Sequence, residues 1–414
     1  MPATSSSDPA AAALAAAVPA LVTVMPAGEL VPELAAGALG HAGPPIEPRR
    51  MCAPMRTALG VAAAIEGLAA GPAEALDRID SGALPVHPNH DLGGVGPMAG
   101  AVSASMPVLV AQDAATGATA WCPLNEGSGK VLRYGADGPE VVARLEWMRD
   151  VLGPELARAL DRGGPLDLVD LHARALELGD ECHHRTEAAT ALVHDALAPE
   201  IADADVRAFI AGNGQFALNI AMVFAKLATA CAAGVPGSAL LTALARNGVE
   251  VGIQLSGTGS RWFTGPAALP SPARLESPYR PEDMNPDLGD SAIVEAYGLG
   301  ALAISSSPDA APSVGLDYDD APAIMARLRR IAAGDHPVLR LAEPRGTMPA
   351  IVGVDARAVV ATGIVPPVHT GIAHREPGVG QIGGGVTHPP MEAFVAALEA
   401  LDVTAVAPAP LAPA

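Results

Sequence analysis

Between Pro85 and Pro107 the chain reads Pro-Val-His-Pro-Asn-His-Asp-Leu-Gly-Gly-Val-Gly-Pro-Met-Ala-Gly-Ala-Val-Ser-Ala-Ser-Met-Pro. Proline removes a backbone donor and glycine loosens the chain, so this run cannot be the interior of a helix or of a central strand. It must be a loop, yet it carries His87 and His90 beside Asn89 and Asp91 and runs straight into the apolar Val108-Leu109-Val110. A polar cluster is thereby held on turns at the end of a strand. Glycines at 93, 94, 96 and 100 permit positive φ and close approach of a ligand, so successive N–H groups can converge on an anion. The same pattern suits a crowded turn between core elements, and this stretch alone leaves both readings open.

Half of the 414 residues are hydrophobic, enough for a substantial core shared among about two or three domains. Aromatics are only 3 %, so alanine and valine must fill that core. The 45 acids outnumber the 25 bases and leave a formal charge of −20. Such a surface repels phosphate backbones and excludes nucleic acid as a partner. A small anionic substrate stays compatible with it, because a backbone nest or an arginine acts at short range. Lys130 and Lys226 are the only lysines, which makes both worth following. The cysteines, Cys52, Cys122, Cys182 and Cys231, form no C-x-x-C pair and no secretory signal precedes them, as expected of reduced thiols in the cytoplasm. No apolar stretch reaches the ~18 residues of a membrane span.

Helical patterns and short strands come in blocks rather than strict alternation, and no G-x-G-x-x-G opens a first βαβ unit. The expected fold is α+β, with mixed sheets in two α/β lobes, 20–138 and 236–402, and a mainly helical insert at 139–235. A tail over residues 1–20 leads into a short helix, and a strand at Leu21–Val24 and a helix from Glu29 to Leu39 follow. Helices are expected from Pro54 to Leu68 and Pro72 to Asp80, and a hairpin pairs Val108–Asp113 with Thr119–Cys122. Four amphipathic helices follow between Leu145 and Leu197, then a buried helix from Ala217 to Ala233 in which Lys226 reaches a surface carboxylate. A helix at Ser238–Arg246 ending at Asn247-Gly248, a strand at Val249–Leu255 and a helix at Pro322–Ala333 complete the middle of the chain. A terminal helix closes it from Pro390 to Leu401.

Several polar knots punctuate these elements. Gly127-Ser128-Gly129-Lys130 superficially resembles a phosphate loop, but Val131 stands where a Walker A motif needs Ser or Thr, so a nucleotide triphosphatase is excluded. Lys130 and its neighbours, Asn125 and Glu126 among them, suit either an anion cradle or a solvated surface loop. Arg56, in the first turn of its helix, fits either a structural salt bridge or an anion contact. The run Gly179-Asp180-Glu181-Cys182-His183-His184-Arg185 invites zinc, but adjacent histidines project to different sides, so inter-helix hydrogen bonding is the better reading. Further Gly-rich loops follow at Ser256-Gly257-Thr258-Gly259 and Gly378-Val379-Gly380.

Five motifs carry a resemblance: Gly-Val-Gly-Pro-Met-Ala-Gly at 94–100, Leu-Asn-Glu-Gly-Ser-Gly-Lys-Val-Leu-Arg at 124–133, Ala-Arg-Asn-Gly-Val-Glu-Val-Gly at 245–252, Asn-Pro-Asp-Leu-Gly-Asp-Ser-Ala-Ile at 285–293 and His-Thr-Gly-Ile-Ala-His at 369–374. Together they resemble the bacterial oxamate carbamoyltransferase subunit family from about Pro44 to Leu398. The resemblance implies a multi-subunit enzyme of allantoin breakdown that moves a carbamoyl group between oxalurate and phosphate, giving oxamate and carbamoyl phosphate, beside an acyl-CoA-synthetase-like partner subunit. It implies no residue-level roles.

Carbamoyl transfer develops negative charge on oxygen, which fixed N–H groups and arginine stabilise best. On that chemistry Lys130 or Arg246 would hold phosphate, Gly94 and Gly96 would supply N–H groups, and His90 or His374 would shuttle a proton beside Asn125. Arg56, Asn247, Gly257 and Thr370 complete the expected anion contacts. No cofactor is expected, and the small-residue faces suggest a homo-oligomer. The rival readings are a non-catalytic subunit that binds the partner, and a metal-dependent amidohydrolase built around His87, His90, His183 or His184.

Overall fold

A helix that is apolar on all sides must be buried, and Leu218–Cys231 is the helix around which the rest is packed. Every residue from Leu218 to Thr229 is buried. The helix rests on the strands Pro107–Asp113, Thr119–Pro123 and Leu241–Asn247 and on the short helix Ile293–Tyr297. Phe224 stacks on His172 with ring centroids 4.4 Å apart and meets the edge of Tyr297 at 4.8 Å. The structure, a computed structural model, describes residues 8–343 and 346–406. The first seven residues of the expected tail lie outside them.

The architecture is α+β, with several small sheets. One antiparallel sheet runs in the order Thr119–Pro123, Pro107–Asp113, Pro19–Pro26, Leu166–Asp167. A second runs Leu288–Gly289, Leu241–Asn247, Glu250–Leu255, Phe263–Pro266. A third joins Ala273–Leu275, Gln381–Thr387 and Val368–Ala373. Between the first two in sequence come the helices Pro139–Trp147, Gly153–Gly163, Leu168–Glu177, Glu187–Leu197 and Ala204–Ala211. Aspartates start two of them: Asp167 accepts from the N–H of Val169 and Asp170, and Asp203 from Asp205 and Val206. One continuous apolar cluster, from Ala10 to Leu401, ties the first two sheets to the helices, while Met284, Ile372 and Ile382 form a separate small cluster at the third sheet.

Three expectations need correction. Ser238–Arg246 is not a helix: Leu241–Asn247 is a fully buried strand, and Gly248, at φ 80°, turns it into Glu250–Leu255. Its Leu-Thr-Ala-Leu-Ala run has helical propensity, but pairing on both edges overrides so weak a preference. The helix from Pro322 ends at Leu328, and Ala332 enters an unforeseen hairpin of Ala332–Glu343 with Gly346–Val354. The segment after Glu29 holds two one-turn helices and the strand Leu39–His41, which pairs in parallel with Val86–Pro88 inside the Pro85–Pro107 loop.

Truncating Phe224 to Ala should cost about 3–5 kcal/mol of unfolding free energy, as for other buried aromatic rings, and denaturant titration measures it. Buried titratable groups set the acid response. Burial pushes His41, His172, His184 and His336 from 6.5 down to about 4. As pH falls from 6.5 towards 4, the unfolded chain therefore takes up protons that the fold refuses, and stability drops. Burial raises Asp180 to about 6 and Asp290 to about 7, which works in the opposite direction between 3.8 and 7. The four histidines outweigh the two carboxylates, so the melting temperature should be lower at pH 5 than at pH 7 by differential scanning calorimetry.

Candidate functional site

The loop 125–133 is folded around its own carboxylate. Glu126 accepts the N–H of Leu132 at 2.5 Å and of Arg133 at 3.0 Å, and Asn125 Oδ1 accepts that of Gly127 at 2.9 Å. Arg144 clamps the loop from the Pro139–Trp147 helix by donating to the carbonyls of Glu126 and Ser128. These bonds fix the direction in which Arg133 leaves the chain. Its NH2 group donates to the Gly127 carbonyl at 2.7 Å, while NH1 lies 4.0 Å from Glu126 and makes no hydrogen bond among the described residues. The guanidinium carbon lies 5.1 Å from the centre of the Tyr134 ring, and the Tyr134 hydroxyl donates to Gln381 at 2.8 Å.

The facing wall is folded around a second carboxylate. Glu181 is fully buried and accepts the N–H groups of His183 at 2.5 Å, His184 at 2.6 Å and Arg185 at 3.2 Å. It also contacts His369 Nδ1 at 3.2 Å. Burial by itself would raise this carboxyl, but the bond and charge of His369, with the charges of His183 and His184, hold it down at about 2. Cys182, at φ 72°, takes the left-handed backbone that a non-glycine residue rarely adopts, and so turns the two histidines onto the same wall. Packed this way, His184 is lowered to about 4 by burial, although Glu181 pulls upward.

His183 is oriented from behind. Its Nδ1 lies 2.8 Å from both oxygens of Glu295, which is fully buried on the Ile293–Tyr297 helix and also accepts from the N–H of Ala301 and His369. A Cβ at Gly300 would sit 2.2 Å from Glu295 Oε1, so glycine there leaves the carboxylate its place. With Nδ1–H donating to the carboxylate, the neutral ring presents the lone pair of Nε2, which has no protein partner among the described residues.

The two walls meet at a narrow inner chamber of ≈ 20 Å³ that Asn125, Arg133, Tyr134, His183, His184 and Ser291 help to line. Met98 closes one side at φ 53°, a second non-glycine residue in left-handed backbone. Strain of this kind concentrates at ligand sites. Arg133, Tyr134, Gln215 and Gln381 line both this chamber and an outer cleft of ≈ 670 Å³ bordered by Gly127–Lys130, Gly212–Gly214 and Gly378–Gly380. Glycine-rich turns near 97, 127, 213, 371 and 379 thus meet in one continuous space.

Of the residues expected from sequence, Asn125 lies on the chamber wall, but its amide is saturated by Gln215, Asn219, Gly127 and Asn213 and builds the wall. Thr370, one residue before the chamber-lining Gly371, donates to Asp287. Arg246 is fully buried behind the chamber and is consumed by Asp287, the Gly289 carbonyl and Ser291. Asn247 holds the hairpin turn through the N–H groups of Val249 and Glu250. Lys130 is on the outer rim, exposed and paired with Glu140 at 2.7 Å.

His90 is sealed in the interior. Lys226 Nζ lies 3.3 Å from its Nδ1, and Asp290 lies 3.9 Å from its Nε2. Lys226 is therefore buried against an imidazole, not extended to a surface carboxylate. Burial pushes it to about 8 and, with Lys226 nearby, holds His90 well below its ordinary value. Asp290 accepts the Gly43 and Gly96 N–H groups, so Gly96 is spent in pinning its own loop. Gly94 makes room for Trp121, and Gly257 for Leu401 and the Ser238 carbonyl. Arg56 forms a two-pronged bond to Asp80, and His374 accepts from the Glu376 N–H beside Asp283. Sequence reasoning missed Arg133, Tyr134, Gln215, Gln381 and the alignment of His183 with Glu295. The signals were Arg133 inside the motif at 124–133 and the density of polar residues at 179–185. Among the described residues no three His, Cys, Asp or Glu side chains group to hold a metal ion, and no helix is long and apolar enough to cross a membrane.

Residues 84–291 match the family model described as oxamate carbamoyltransferase subunit AllG. Over 396 residues the chain is 41 % identical to the oxamate carbamoyltransferase subunit AllG of Escherichia coli (strain K12), covering 92 % of this chain and 94 % of that protein. It is 38 % identical over 388 residues to the uncharacterized protein YahG of the same organism, covering 92 % and 82 %. A crystal structure of a conserved protein of unknown function from Enterococcus faecalis V583 superposes with a TM-score of 0.92 at 37 % identity, covering 95 % of this chain and 96 % of that one. With such identity along almost its whole length, the chain belongs to the oxamate carbamoyltransferase subunit AllG family.

Proposed function

We propose that the chamber and the outer cleft form the carbamoyl-transfer site of an oxamate carbamoyltransferase, completed by an acyl-CoA-synthetase-like partner subunit. The observation that carries this reading is His183, aligned by Glu295 with Nε2 unpartnered, across from an arginine whose NH1 is also unpartnered. In the catabolic direction an oxygen of phosphate bonds to the ureido carbon of oxalurate, and the bond from that carbon to the oxamate nitrogen breaks. Protonated His183 gives its Nε2 proton to the departing nitrogen, yielding oxamate and carbamoyl phosphate. In reverse the same nitrogen takes the amide proton.

Glu295 supports either direction by keeping Nδ1–H in place. Arg133 pairs with the carboxylate or the developing oxyanion of the substrate, a role for which a planar fork of donors is suited. The N–H groups of Ser128, Gly129 and Lys130 make no hydrogen bonds among the described residues, and Gly127 and Gly129 carry positive φ. That stretch holds phosphate in the outer cleft. The products of such a site are carbamoyl phosphate and oxamate, as expected of nitrogen breakdown through allantoin.

Turnover measured in the enzyme assembled with its other subunits tests the assignment. His183→Ala should lower kcat about 100-fold or more, the usual range for a general acid or base, and Glu295→Gln should lower it about 10- to 100-fold. Unchanged turnover in His183→Ala, with assembly intact, would remove the ring from the chemistry. Arg133→Ala should raise KM for oxamate about tenfold or more. Lys130→Ala should leave kcat/KM within about fivefold, because its exposed ion pair with Glu140 is weak.

A further inference from the structure

Behind the chamber, His369 faces a second cavity that the transfer reaction does not use. It offers ≈ 190 Å³ between the Gly300–Ser306 and Ala321–Leu328 helices and the strands Val368–Ala373 and Gln381–Thr387. Its walls are hydrocarbon, with Ile304, Leu316, Ile324, Leu328, Ile364 and Val386 among them. The residues lining it include no carboxylate, and its charged or titratable members are His369, His388 and Arg327.

These three groups are not used up by the fold. His369 is 1 % exposed and gives Nδ1 to Glu181, while its Nε2 makes no hydrogen bond among the described residues. Arg327 and His388 are exposed and stand close enough that the guanidinium, after burial, helps lower the His388 ring. Arg327 forms no ion pair among the described residues. An apolar well with a cationic rim and a buried imidazole at its wall suits a ligand with one anionic end and a hydrocarbon body. The polar chamber on the other side of Glu181 does not suit the hydrocarbon body.

We propose that this cavity is a binding site for an aliphatic monocarboxylate of roughly four to eight carbons. The carboxylate sits on Arg327 at the rim, and the chain lies between Ile304, Ile324 and Val386. This site is independent of the transfer reaction proposed above.

Calorimetric titration of the full chain with hexanoate tests it. The expected result is saturable binding at one site per chain, at least about tenfold weaker in Arg327→Ala, an exposed position, and about tenfold weaker for hexan-1-ol, which has the same body without the charge. Ile324→Trp, which fills the well, should abolish binding. His183→Ala should bind hexanoate as the parent chain does, and oxamate should not displace it, so the outcome is separable from that of the transferase assignment. Absence of saturable heat, equal affinity for hexan-1-ol, undiminished binding in Arg327→Ala with the fold intact, or displacement by oxamate would each overturn the proposal.

Discussion

One buried carboxylate holds the site together. Glu181 gathers three consecutive backbone N–H groups and the ring of His369. A carboxylate solvated by N–H groups in this way stays ionised where burial alone would protonate it. The turn from Asp180 to Arg185 is therefore wrapped around a fixed negative charge. The two side chains it projects, His183 and His184, inherit their positions from that charge rather than from a helix or strand. Glu126 does the same for the opposite wall, and Asp290 for the loop at 94–100. Three loops that lack regular secondary structure are each made rigid by an inward-pointing acid.

This arrangement lets a strongly acidic protein keep a locally cationic chamber. The net charge of −20 is a property of the whole surface, and salt screens it over about 8–10 Å. Inside the chamber the nearest groups decide, and the acids behind its walls are already occupied by N–H donors, while Glu187 and Glu276 border the outer cleft. Arg133 stands with an unsatisfied NH1, while the other notable cations are engaged. Arg246 is committed to Asp287, and Lys226 is sealed beside His90.

The sequence conveyed the fold class because long apolar or amphipathic runs are read one segment at a time. Pro72–Asp80 and Glu187–Leu197 form helices with the bounds their patterns suggest. It failed at Leu241–Asn247, whose state is decided by partners on both edges, and at the hairpin of Ala332–Glu343 with Gly346–Val354, whose polar and Gly-interrupted strands carry little alternation. For the site, the convergence of Gly-rich loops could be anticipated from their chemistry. The choice of side chains could not. Lys130 and Arg133 lie in the same motif, and only the bonds of Glu126 and Arg144 determine which of them turns inward. His183 looked like one member of a knot, because Glu295, its partner, is far away in the chain.

The chamber draws on residues from Pro97 to Gln381, so no fragment emerging from the ribosome contains it. Glu295 and His369 must both arrive before the imidazole of His183 has its backing, and both are made long after it. The inner wall therefore depends on late-arriving segments: a product truncated before Glu295 keeps the buried central helix and the strands Pro107–Asp113 and Thr119–Pro123 yet lacks the groups that back the wall.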